Sequence, residues 1–287
     1  MSKLSSSVKA LINAPFARPG PVPAPAIIRD VFQGIAQDAA RHKLSTRPWL
    51  ALSTAATFTL NSPDSLKVLY SVASSARDTN EVQVAELMRE VGLKCISFNG
   101  IARSINGLNA FHASLPEHVT RQLATRQPSR VPTPQNLDAT LQRGRQLWDV
   151  IYAPFEKKLV DKLAAAHPDL PVHILTSHYG PLLADPPEDK KGQQQQHTGR
   201  ALTSLVAIAC LRAQTGVGPQ VLSHVFGLRK QYEDGSYLRE MPRETEEGMA
   251  WMASDEGLEW ILRAVDRIQS ALEGRRAAPQ GGRESKL

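Results

Sequence analysis

From residue 27 onward, apolar positions recur at the three- and four-residue spacing of amphipathic helices, and no comparable run alternates with period two. The pattern predicts helices over about 27–42, 48–60, 64–77, 80–91 and 94–113. In the fourth, Val84, Leu87, Met88 and Val91 share a face; in the fifth, Ile101, Ile105, Leu108 and Phe111 or His112 do. Residues 114–140, punctuated by Pro116, Pro128, Pro132 and Pro134, read as a connector. A second helical series follows. Leu147, Trp148, Ile151, Tyr152, Phe155, Leu159 and Leu163 predict one amphipathic helix, and Leu170–Leu183 another. The stretch 185–199 (DPPEDKKGQQQQHTG) reads as a low-complexity surface loop. Between Ala201 and Ala213 only Thr203, Ser204 and Arg212 interrupt an apolar run, as expected of a helix buried nearly all round. Gln214–Gly218 breaks it, and Pro219 suits the first turn of another helix, where its missing N–H costs nothing. Val221, Leu222, Val225 and Leu228 stripe that helix, with His224 on or beside the stripe. A last helix carries Leu258, Ile261, Leu262, Val265, Ile268 and Leu272.

The two series look alike. Residues 67–78 (KVLYSVASSARD) align with 220–231 (QVLSHVFGLRKQ), placing Val68, Leu69, Val72 and Arg77 on Val221, Leu222, Val225 and Lys230. Each follows an apolar helix, at 49–60 and 200–213. We read a degenerate duplication: a lead at 1–26 without fixed structure, a first helical repeat at 27–113, a Pro-rich connector at 114–140, a second repeat at 141–273 and a flexible tail at 274–287. The expected fold class is all-α.

Composition narrows the function. With 287 residues, 41% of them hydrophobic, the chain can bury a sizeable core. The net charge of +6 sits at the ends: Lys3, Lys9, Arg18 and Arg29 face no acid in the first 29 residues. After residue 274, Arg275, Arg276, Arg283 and Lys286 face only Glu284. The body between is close to neutral and poor in aromatics beside its basic residues, so no nucleic-acid partner is expected. No apolar run is long enough to cross a bilayer, and no membrane association is expected. Cys95 and Cys210 lie far apart in helical patterns and read as buried free thiols. His173 and His178, five apart, fall on different faces of an α-helix, so no shared metal is expected. No cofactor is implied.

The segment FNGIARSINGLNAF (98–111), with Gly100, Ala102, Asn106 and Leu108, resembles the closing helix of the carboxymuconolactone decarboxylase and alkylhydroperoxidase-D-like superfamily. RGRQLWDVIYAPF (143–155), SHYGPLLADPP (177–187) and VLSHVFGLRKQY (221–232) are similar to that family's opening helix, Tyr-Gly junction and histidine helix, in the family's order. The resemblance covers roughly 45–113 and 143–232, and the layout resembles that of a fungal-type two-repeat member with a peroxisomal targeting tail. It implies a helical bundle of two degenerate repeats and homo-oligomerisation.

It also implies two chemistries. Thiol peroxidase turnover needs a Cys-x-x-Cys pair before the histidine, but those positions hold Val217 and Gln220, which counts against a thiol antioxidant. Decarboxylase-type proton transfer needs no thiols. The resemblance then makes His224 the general base, with Arg200 holding a small anionic metabolite and His178 and Tyr179 lining the pocket. The family's upstream acid has no counterpart, because Arg200–Gln214 contains no Asp or Glu. Two alternatives remain open: His224 as a core histidine bonded to a backbone carbonyl, and the whole chain as a non-catalytic binding or scaffold protein.

The sequence ends Ser285-Lys286-Leu287, the tripeptide read by the peroxisomal import receptor, after a spacer rich in small residues. A peroxisomal matrix location is expected. The acid-free basic start offers a mitochondrial alternative.

Overall fold

The computed structural model describes residues 4–14, 20–76, 79–187 and 197–274. Among these the chain is all-α. In order the helices are α1 (Ser6–Ile12), α2 (Ile28–Arg41), α3 (Thr46–Thr59), α4 (Pro63–Ser74), α5 (Glu81–Lys94), α6 (Ile96–Asn99), α7 (Ile101–Ser114) and α8 (Glu117–Leu123). After the connector come α9 (Leu137–Tyr152), α10 (Glu156–Ala166), α11 (Asp169–His173), a π-helix (Ile174–Leu183), α12 (Gly199–Gln214), α13 (Gly218–Glu233), α14 (Tyr237–Glu240), α15 (Glu246–Ala253) and α16 (Asp255–Leu272). No helix among the described residues is long and apolar enough to cross a membrane.

At the centre, α3 packs along α12, the most extensive helix pair among the described residues. Every residue from Pro48 to Thr59 is buried on α3, and on α12 every one from Ala201 to Ala213 except Arg212. Two of the hydroxyls this buries return to their own helix: Thr57 Oγ1 donates to the Ser53 carbonyl (2.7 Å) and Thr59 Oγ1 to that of Ala55 (2.8 Å). Each central helix runs into a second with proline in its first turn, Pro63 in α4 and Pro219 in α13. Side-chain caps hold other starts. Ser45, Asn80, Thr245 and Ser254 accept first-turn N–H groups of α3, α5, α15 and α16.

One apolar cluster runs from Ile28 to Ala271 and draws on both helical series. A smaller one, around Leu147, Trp148, Ile151, Tyr179 and Leu183, joins α9 to the π-helix; Phe98 packs against both. α16 seals the main cluster by lying across α2, α3 and α12.

Several predicted elements divide. The helix expected at 94–113 breaks at Gly100, whose φ of +79° is left-handed, giving α6 and α7. The single helix expected from Leu147 to Leu163 becomes α9 and α10, parted at 153–155 by Pro154, which has no N–H to continue the ladder. The connector contains α8, with Val119 and Leu123 buried. The N-terminal lead contains α1, none of whose residues is buried, and its Pro-rich end is tied down where Val22 N–H donates to Asn61 O (2.8 Å) and Ser62 Oγ to Val22 O (2.7 Å).

Candidate functional site

His224 enters from the middle of α13 and is 4% exposed. It points at two aromatic edges: the ring centroid of Tyr152 on α9 lies 6.1 Å away at 70°, and that of Phe98 on α6 6.5 Å away at 81°. Its Nδ1 is buried and finds no hydrogen-bond partner among the described residues. The backbone carbonyl of the sequence reading is therefore absent at Nδ1: the ring is buried and this nitrogen is unpaired. Burial lowers its pKa from the usual 6.5 to about 4, so at neutral pH it is an uncharged imidazole.

Behind Tyr152 stands Tyr179. The two hydroxyls are 3.0 Å apart, and Trp148 packs on both rings, at 4.2 Å and 5.1 Å between centroids. Burial raises the pKa of Tyr152 and pushes that of Tyr179 well up, with the neighbouring phenol adding to the second shift. Both stay protonated donors. Tyr179 is delivered by the π-helix, and a close backbone crossing sets its depth. A Cβ on Gly144 of α9 would lie 2.3 Å from Gly180 N, so these two glycines let the helices touch.

His178, next to Tyr179, turns instead to Ser97 of α6, with Nδ1 3.0 Å from Ser97 Oγ. It also meets His173, the ring centroids being 5.4 Å apart. That contact overturns the assignment of these histidines to separate faces. The α-helical geometry assumed for it gives way to a π-helix, whose longer turn stacks residues five apart. Burial first, and His173 second, lower the His178 pKa. No group of three or more His, Cys, Asp or Glu able to hold a metal occurs among the described residues.

Arg200 goes elsewhere. At the start of α12 its Nε donates to Glu240 (3.3 Å), while its Nη2 donates to Asp234 (3.0 Å) and to Ser236. Gln231 Nε2 reaches the same Glu240 carboxylate at 3.2 Å. Gln231 lies seven residues beyond His224 on α13, so the cluster meets that helix about two turns, ~10 Å, away from the imidazole's position. Of the four residues read as a site, the fold gathers His224, Tyr179 and His178 around α6, α9, α13 and the π-helix, and leaves Arg200 in a separate ion cluster.

A cleft of about 540 Å³ opens beside Tyr152, between the α9–α10 turn and the outer face of α13. Ile151, Tyr152, Phe155, Leu159 and Phe226 line it, and Lys158, Lys162 and Lys230 stand around it. Lys230 Nζ donates to the carbonyls of Ile151 (3.2 Å) and Ala153, capping the end of α9 with a positive charge.

The sequence reading missed Lys94. It is fully buried, and Nζ donates to Leu183 O (2.5 Å), Asp185 Oδ1 (2.9 Å) and Thr203 Oγ1 (3.2 Å). Asp185 also accepts from Gly199 N (2.7 Å), closing the start of α12. Burial alone would raise the Asp185 pKa, but Lys94 and the Gly199 N–H outweigh it and bring it down to about 2. The ends of the supposed surface loop, Asp185, Thr198 and Gly199, are thus structural anchors. A signal existed: Lys94 continues the Val84, Leu87, Val91 stripe, and a cation on an apolar face demands a buried partner.

No protein-family model matches the chain, so the superfamily resemblance rests on the motifs quoted above. No solved structure matches it either. Over 163 residues the chain is 31% identical to "Peroxisomal protein 2" of Saccharomyces cerevisiae (strain ATCC 204508 / S288c), a match covering 50% of this chain and 54% of that protein. The chain spans about half the length of this curated relative. Ser285, Lys286 and Leu287 lie outside the described residues.

Proposed function

We propose that this chain is a peroxisomal helical protein that binds a small ligand and does not turn a substrate over at His224. The similarity to a protein named for the peroxisome supports the location, as does the terminal Ser285-Lys286-Leu287. In this reading the tripeptide engages the import receptor. Deleting these three residues from a tagged full-length chain is expected to disperse it into the cytosol, and unchanged punctate fluorescence would sink the import assignment.

The cleft beside Tyr152 offers room for a ligand, and the observation that carries the reading against turnover is the burial of His224. A general base must come within hydrogen-bond reach of the proton it removes, and works best with a pKa near the working pH. The His224 ring faces the edges of Phe98 and Tyr152 and has a pKa of about 4. The arginine proposed as anion anchor already serves Asp234 and Glu240. The second reading, proton transfer of the decarboxylase type, is favoured by the linked Tyr152 and Tyr179 hydroxyls beside the imidazole. Incubating purified wild-type chain and His224→Ala with a peroxisomal small-molecule extract, followed by mass spectrometry, separates the two. We expect identical extracts. A metabolite consumed by the wild type and spared by the variant would establish the second reading.

A further inference from the structure

We propose that the cleft between the α9–α10 turn and α13 is a binding site for an amphipathic monoanion, an apolar chain or ring carrying one carboxylate. This inference rests on the binding reading above and names the ligand class. The cleft, about 540 Å³, falls within the range of small-molecule sites. Its floor is apolar, and two of its aromatic side chains are left open to water: Phe155 is 65% exposed and Phe226 50%. Exposed rings of that size, adjacent in space and facing a concavity, have apolar area to bury against a ligand.

Charge selects the head group. Among the described residues no aspartate or glutamate lines the cleft, while three lysines do. Lys158 and Lys162 are four apart on α10, so both ammonium groups stand over the same turn, and neither makes an ion pair with a described residue. Lys230, held by the Ile151 and Ala153 carbonyls, fixes a third positive charge at the opposite edge. Lysines act as compact point charges without the bidentate fork of arginine, so they attract an anionic head such as a carboxylate without demanding a fixed geometry of it. Long lysine stems also lie along an apolar body while their heads reach water. The site shares no lining residue with the Arg200 cluster and adjoins the His224 surroundings at Tyr152 and Ser223.

Titration calorimetry of the full-length chain with decanoate and with decan-1-ol tests it. Decanoate is expected to bind with ~10 µM affinity, and the alcohol about 10-fold more weakly. The double variant K158Q/K162Q should bring decanoate down to the alcohol's level and leave the alcohol unchanged. Phe226→Ser should weaken both. Circular dichroism melts of each variant control for folding. Absence of heat with either ligand overturns the proposal, and so does decanoate binding that K158Q/K162Q leaves intact. Sedimentation velocity on the same samples guards against another occupant: a dimer that Phe226→Ser dissociates would assign this face to a second copy of the chain. The extract comparison at His224 is independent of these outcomes, so failure here leaves that reading in place.

Discussion

At the scale of single residues, His224 sets a pH dependence of stability. The unfolded chain takes up a proton on this ring near pH 6.5, whereas the folded chain refuses it until about pH 4. The neutral ring's contribution is therefore complete above 6.5 and declines as pH falls through that window. The gap corresponds to about 3 kcal/mol at pH 4. His224→Leu keeps the volume and removes the titration. Urea unfolding at pH 7.5 and 4.5 should show the wild type losing about 2–3 kcal/mol more than the variant. Equal losses would mean that the ring is solvated or paired in the folded state. Asp185 acts in a separate window, since its ionised form is favoured down to about pH 2 and its contribution fades only below the usual 3.8. Sequence alone located the imidazole and aimed it inward. It could not reveal that the surrounding groups are Phe98 and Tyr152, 126 and 72 positions away, or that Arg200 is already engaged by Asp234 and Glu240.

Elements were legible where one helix buries one stripe, or none of its surface escapes burial. The α3 and α12 runs, the Pro219 start and the α16 stripe all follow from spacing and cap chemistry. The junctions were not. Gly100 interrupts an unbroken apolar period by adopting positive φ, which no periodicity records. The π-helix is a sharper case, because Leu170–Leu183 has the apolar content of an ordinary helix. Pro181 lies inside it and cannot donate to the ladder, so the wider turn is compatible with its missing N–H. That change of pitch brings His178 to His173. Gly144, read as one more helical position, proves to be the point where α9 meets Gly180 backbone to backbone. Any larger side chain there must push the π-helix away, and Tyr179 with it. The placement of the aromatic cluster thus depends on a residue whose own pattern is silent.

For the whole molecule, the sequence suggested two helical series and the structure shows how they meet. The paired units α3–α4 and α12–α13 lie back to back, and a single apolar cluster spans them. Cys95, at the α5–α6 corner, and Cys210, on α12, report on this directly. Their sulfurs are 3.6 Å apart and both residues are fully buried, one from each series. Burial first, and the neighbouring Cys210 second, hold the Cys95 thiol well above the usual range. A thiol reagent must therefore wait for the protein to open. A core drawn from both series cannot expose one sulfur and keep the other covered. Labelling with a colorimetric disulfide reagent across a urea series is expected to modify both thiols together, with a denaturant slope equal to that of global unfolding. Were Cys210 to react while Cys95 stayed protected, or the reverse, the halves would be opening as separate units, and the shared core would be an interface between two domains.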